Sequence, residues 1–147
     1  MKISEMRTEL LGQHDTIRGL VAEVEGALSS TQSEGAGAVH DALRRLQSAL
    51  DHHNRREEQL LEGLLPSLDA WGDARAAWMD LRHREEHAES VAAIRVALGV
   101  EDPAARAATV RALLAEISAH VAREEVEFLS PDVLTDDRFK LSDGVGG

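Results

Sequence analysis

Apolar residues recur along this chain in four long stretches, in which gaps of three and four residues alternate. This spacing puts them on one face of a helix, as in helices that pack into a bundle. The stretches predict four helices, the first starting just after Ser4, a good N-cap residue. That helix fades at residues 29–35, and the others cover about 37–65, 73–98 and 103–130.

The predicted helix ends carry the residues that normally stop and start helices. Pro66 and Pro131 cannot continue a helix, and Gly99 is a typical residue at a C-terminal end. Asp102 and Pro103 then supply an N-cap and a first helical position. Because short connections between long helices favour antiparallel neighbours, we predict an all-α fold, an up-down-up-down four-helix bundle.

Composition narrows the class of protein. The formal net charge of −11 argues against nucleic acid and anionic membranes as partners, and the absence of cysteine excludes thiolate chemistry and iron–sulfur clusters. No apolar run is long enough to span a bilayer, and charges near the N-terminus interrupt any signal sequence. We expect a cytoplasmic monomer or homodimer with a bundle at residues 1–131 and a partly ordered tail at 132–147.

Polar residues occupy core positions of all four predicted helices without breaking the apolar period. They are His14, His53, Glu57, His83, His87, His120 and Glu124. In an up-down bundle all seven fall at one level, about 15 Å from one end. Burying so many polar groups without partners would be costly, so we predict that they hold two metal ions, with the carboxylates as bridges. Nitrogen and oxygen ligands without thiolates favour iron or manganese, with zinc possible.

Four segments also carry a family resemblance: QHDTIRGL around His14, HNRREEQLLEGLLP from His53, HREEH from His83 and HVAREEVEFLSP from His120. In this order and spacing, from about residue 5 to 131, the chain resembles the hemerythrin-like, or HHE cation-binding, family. The resemblance implies a four-helix bundle with a non-heme di-iron centre.

The resemblance also implies roles for the seven residues. His83, His87 and His120 would hold one iron and His14 and His53 the other, bridged by Glu57, Glu124 and an oxo or hydroxo group. The iron with two histidines would keep an open position, where the oxygen carriers of the family bind dioxygen.

The chain departs from the family pattern at one bridging carboxylate. Oxygen-carrying hemerythrins have an aspartate five residues after the last histidine, where this chain has Glu125. We choose Glu124 instead, because it lies four residues after His120 and continues the core-facing period. Glu125 and Glu58 are then expected to be outer partners or solvated residues that pair with nearby arginines.

Other interpretations of the histidines were weighed. Ferritin-like di-iron proteins need Glu-x-x-His pairs, which this chain lacks. His83-x-x-Glu86-His87 fits an inverted zinc-peptidase pattern with Glu86 as general base, but it leaves the other histidines without a role. Histidines can also simply decorate helices, and we expect that of His40 and His52, which flank the core face. Trp78 and Phe128, near the site, are expected to be core packing.

Three functions remain open from the sequence. The first is binding of dioxygen, or of a related ligand such as peroxide or nitric oxide, by a carrier, store or sensor. The second is an enzyme with peroxidase-like, catalase-like or nitric-oxide-reducing activity. The third is an iron sensor whose stability depends on its metal.

Overall fold

Four helices make up the computed structural model, which describes residues 2–30, 35–64, 73–127 and 129, without the side chains of 35, 36, 61–64, 73–80 and 83. The helices are α1 (Ile3–Ser29), α2 (Gly35–Leu64), α3 (Asp73–Gly99) and α4 (Pro103–Glu127), and the described ranges contain no strand. The predicted all-α class is thus confirmed. Pro66, Pro131, Phe128, the side chain of Trp78 and the predicted tail at 132–147 lie outside this description.

The four helices close a ring of contacts. α1 packs against α2, α2 against α3, α3 against α4, and α4 against α1. Each helix therefore turns one face toward two neighbours, which is the arrangement expected of a four-helix bundle. Over the described residues, none of the helices has the length and hydropathy needed to cross a membrane.

The helix starts show where local sequence decides the boundary. α4 begins as predicted, because a carboxylate oxygen of Asp102 accepts a hydrogen bond of 2.8 Å from the backbone N–H of Ala105. α1 begins earlier than predicted, and Ser4 lies in its first turn. The backbone N–H of Lys2 instead donates to a carboxylate oxygen of Glu5 at 2.7 Å, which satisfies a group that the helix itself leaves without a partner.

The apolar core lies in two parts along the bundle. The larger part packs one set of buried side chains: Ile17, Val21, Val24, Val39, Ala42, Leu43, Leu46, Leu50, Ile94, Ala97, Val110, Leu113, Leu114, Ile117 and Val121. Ile3, Met6 and Leu10 before His14, Leu60 after Glu57, and Leu129 after Glu124 are also buried. The candidate metal-binding residues therefore lie between two apolar regions, in a setting that excludes bulk water.

Candidate metal centre

Six of the seven predicted residues form one buried layer, which we call the polar layer. They are His14 from α1, His53 and Glu57 from α2, His87 from α3, and His120 and Glu124 from α4. None of them is more than 8% exposed. The seventh, His83, lies on α3 one turn before His87, and its side chain is outside the described residues.

One half of the polar layer lies between α1, α2 and α4. Donor atoms of His14, His53, Glu57 and Glu124 all lie within 4.8 Å of one another, which is close enough to share one ion. The Nε2 atom of His53 is 2.9 Å from Oε2 of Glu57. Oε2 of Glu124 is 3.6 Å from Nε2 of His14 and 3.9 Å from Nε2 of His53.

The other half lies between α3 and α4. Donor atoms of His87, His120 and Glu124 form a second group within the same 4.8 Å limit. Nε2 of His120 contacts Oε1 of Glu124, and Nε2 of His87 is 3.7 Å from Oε1 of Glu57. Each of the two carboxylates thus has one oxygen toward each half, which is the arrangement that a bridging carboxylate requires.

The inward-facing atoms of the polar layer fit a metal better than they fit one another. Nε2 of His14, Nε2 of His53 and both carboxylate oxygens of Glu124 are buried and make no hydrogen bond of ordinary geometry within the described chain. Buried polar atoms of this kind usually have a partner, and their absence from the hydrogen-bond network needs an explanation. Imidazole nitrogens and carboxylate oxygens converging in one place are ligands for a transition metal, so the residues present fit such an ion.

The Nδ1 atom of each polar-layer histidine, which points away from the layer, contacts a residue outside it. We call these residues the outer partners. Each accepting oxygen lies near an Nδ1 atom: Gln13 at 2.7 Å from His53, Glu125 at 3.4 Å from His14, Glu58 at 3.3 Å from His87, and Glu86 at 2.7 Å from His120. An oxygen there accepts the Nδ1 proton and leaves Nε2 with a lone pair for a metal.

The outer partners were only partly predicted. Glu58 and Glu125 do lie next to the site, although Glu125 pairs with Arg18 rather than with an arginine of its own segment. No sequence pattern pointed to Gln13, which precedes a histidine on α1 and contacts one on α2. For Glu86 the sequence pattern suggested only the role of general base in a zinc peptidase.

The charges around the polar layer favour ionised carboxylates. Burial raises the pKa of Glu124, but the nearby imidazoles of His120, His14 and His53 lower it by more, to well below the usual value. A hydrogen bond from Arg18 lowers the pKa of Glu125. A carboxylate that binds a metal has to be deprotonated, and the surroundings of Glu124 keep it so.

The histidine pKa values differ from one another in the metal-free layer. Burial lowers the pKa of His53, but Glu124 and Glu57 raise it by more, to about 9. The pKa of His120 is raised in the same way, mainly by Glu124 against the effect of burial. In His87 the effect of burial dominates and the pKa is lowered.

A comparison with protein families agrees with this geometry. The model of the hemerythrin HHE cation-binding domain matches residues 5–130, nearly the whole chain. The chain belongs to this family. Searches of curated proteins and of solved structures gave no match. Membership and the polar layer together identify the HHE domain as a cation-binding bundle whose histidines and glutamates could hold the metal.

The peptidase alternative does not fit the position of Glu86 in this HHE domain. One oxygen of Glu86 is 2.7 Å from Nδ1 of His120, and the other is 3.0 Å from Nε of Arg82. Glu86 therefore supports a histidine from outside the polar layer and does not occupy the place of a general base. As expected, His52 is exposed, and His40 is a boundary residue that accepts a hydrogen bond from Arg44.

Proposed function

We propose that this HHE domain is a non-heme di-iron protein that binds dioxygen, or a related small ligand such as peroxide or nitric oxide, as a carrier, store or sensor. The observation that carries the proposal is the sharing of Glu124 by two groups of donor atoms, each the size of one metal site. A single ion could occupy only one of the two groups.

The proposed ligand sets follow the two halves of the polar layer. His14 and His53 hold one iron, His87 and His120 hold the other together with His83, and Glu57 and Glu124 bridge them. The oxygen-to-nitrogen contacts of both carboxylates across the layer support this assignment. Two irons would supply electrons and an open coordination position on the side with fewer histidines.

The surroundings of the polar layer favour a small ligand of low charge. His14 lies between Leu10 and Ile17 on α1, and all three are at most 1% exposed. A charged or large substrate would lose its hydration on entering such a region, whereas a diatomic gas loses little. The chain's own contribution is therefore to orient the imidazoles, to keep Glu124 ionised and to limit the access of bulk water.

We also propose the antiparallel, up-down-up-down arrangement predicted from the sequence. Contacting residues of α1 and α2 follow opposite orders along the chain, because the residue number increases on α1 as it decreases on α2. The pairs are Glu9 with Arg56, Gln13 with His53, and Glu23 with Arg45. Pairs between α3 and α4 do the same, with Arg82 next to Glu127 and Glu86 next to His120. These pairs support opposite directions for neighbouring helices.

The first test is the metal content of the protein purified from iron-supplied cells, measured by elemental analysis. We expect close to two irons per chain, and the same content in His52→Gln, because His52 lies outside the polar layer. One zinc per chain would indicate a different site, and a protein that leaves this purification folded but with no bound metal would refute the proposal.

The second test is oxygen uptake by the reduced protein. We expect a colour change on exposure to oxygen that is reversed under vacuum. Repeated consumption of peroxide or nitric oxide in the presence of a reductant, without reversible oxygen release, would instead indicate an enzyme.

A further inference from the structure

Two of the outer partners hold their histidines at the same distance but differ in charge. Nδ1 of His120 is 2.7 Å from a carboxylate oxygen of Glu86, and Nδ1 of His53 is 2.7 Å from the amide oxygen of Gln13. The two histidines belong to different halves of the polar layer. The structure thus contains two histidines held at the same distance, one by a carboxylate and the other by a neutral amide.

The charge of the acceptor changes how strongly the far nitrogen binds a metal. A carboxylate accepts the Nδ1 proton in a charge-assisted hydrogen bond, which is roughly twice as strong as one to a neutral amide. The imidazole then carries more negative charge, and its Nε2 atom becomes a stronger donor. The amide fixes the same tautomer but adds little charge.

Glu86 is held firmly in its place. Nε of Arg82 lies 3.0 Å from its other oxygen, so the carboxylate is oriented between an arginine and the histidine. Gln13 is positioned by α1 itself, next to His14, with its oxygen directed at α2. Both residues act on a metal only through a histidine, so they are positioning residues.

We infer that Glu86 and Gln13 make the two metal positions unequal. Glu86 strengthens the position that contains His120, and Gln13 leaves the position that contains His53 weaker, so metal enters the former first and leaves the latter first. The inference rests on the proposed two-metal site. One position already has three histidines and the other two, and the outer partners add to that difference a contribution from outside the ligand set.

The test is an anaerobic titration of metal-free protein with Co²⁺, followed by the visible absorption of the bound ion and by calorimetry. The wild type is expected to bind two ions in two separable steps. Glu86→Gln is expected to weaken the tighter step by about 10- to 100-fold and to leave the weaker step within about twofold. Gln13→Glu is expected to tighten the weaker step by about tenfold. Neither change alters the donor atoms.

Glu127→Gln is the matched control for Glu86→Gln. Glu127 contacts the same arginine, with 3.1 Å from Nη1 of Arg82 to its carboxylate, but it is half exposed and belongs to neither donor group. The control removes one negative charge at a similar position and should leave both steps unchanged. Circular dichroism of each variant verifies the helical content before titration.

The outcomes separate this inference from the proposed function. A wild type that binds no Co²⁺, or only one ion, would refute the two-metal site itself. Two ions bound with equal affinity would overturn the inference alone. So would a Glu86→Gln variant that matches Glu127→Gln, or a Gln13→Glu variant that leaves the weaker step unchanged.

Discussion

Raising the pH of the metal-free protein above 6.5 should destabilise it, because His53 is held in its protonated form by buried carboxylates. Glu57 on the same helix lies 2.9 Å from its Nε2 atom, and Glu124 on α4 lies 3.9 Å away. From α1, the amide oxygen of Gln13 faces Nδ1 and the ring of His14 lies 4.8 Å away. Burial lowers the pKa of His53, but the two carboxylates raise it by more, from 6.5 to about 9.

The sign and size of the effect follow from this pKa. A group whose pKa is higher in the folded state stabilises that state fully below its unfolded pKa, and the contribution is lost as pH rises through the folded pKa. The window for His53 is therefore pH 6.5 to 9, and the pKa difference corresponds to about 3 kcal/mol of unfolding free energy. The raised pKa of His120 acts in the same direction.

Other groups set the acid side of the profile. The lowered pKa of buried His87 means that stability falls as pH drops below 6.5, since the unfolded chain then takes up a proton that the folded chain does not. The lowered pKa of Glu124 adds a further loss in more acidic solution, as pH falls from its ordinary value of 4.5 toward its folded value. The metal-free protein should therefore be most stable near pH 6.5.

The assay is urea unfolding followed by the helical circular dichroism signal, with a chelator present, at a series of pH values from 5 to 9.5. The wild type should lose about 3 kcal/mol between pH 6.5 and 9. In His53→Gln most of that loss should disappear, because the titrating group is gone. His52→Gln, a neighbouring exposed histidine on the same helix, should keep the wild-type slope.

A flat wild-type profile between pH 6.5 and 9 would refute the reasoning, as would equal slopes in the two variants. The metal-bound protein should behave in the opposite way. Metal replaces the proton on His53, so metal affinity should rise over the same pH range.

Three further predictions concern the metal and the core. Iron should stabilise the fold by about 3 kcal/mol at a free concentration 100 times its Kd. The melting temperatures measured with and without a chelator should therefore differ by several degrees, and equal melting temperatures would contradict this prediction. Glu124→Gln should leave less than one iron per chain by elemental analysis, whereas Glu125→Gln should retain two, and the reverse result would identify Glu125 as the shared carboxylate. Leu46 is buried about 10 Å along α2 from His53, so Leu46→Ala should lose about 2–5 kcal/mol of unfolding free energy and keep its two irons. If the variant also lost its iron, the core and the site would not be separable.

Much of the fold could be predicted because the apolar period alone defines a helix and its buried face. Leu43, Leu46 and Leu50 repeat at gaps of three and four residues, and all three are buried in α2. The error at Ser4 arose because N-cap preference is a property of one residue, whereas the actual start is decided by a contact between Lys2 and Glu5. Local preference is a weak guide wherever a neighbouring side chain can satisfy the same backbone group.

The position of Glu124 could be predicted for the same periodic reason. Four residues after His120 a side chain returns to the same face, so Glu124 enters the polar layer. One residue further the helix has turned by about 100°, and Glu125 faces α1 instead. There it contacts Arg18 and lies beside Nδ1 of His14. Glu125, the position at which the chain departs from the family pattern, therefore lies outside the polar layer but still beside one histidine.

The outer partners could not be predicted, because they depend on how the helices are rotated and aligned against one another. Gln13 and His53 are 40 residues apart in sequence, and His14 and Glu125 are 111 apart. Periodicity within one helix says which face is buried but not which residue of another helix lies opposite. The HREEH segment illustrates this limit, since its spacing in the sequence fits a zinc-peptidase motif as well as a hemerythrin-like one. Only the packing of α3 against α4 brings Glu86 next to Nδ1 of His120 and makes it a support for that histidine. For this family of sites, the donor atoms can thus be read from each helix separately, whereas the groups that tune them have to be read from the assembled bundle.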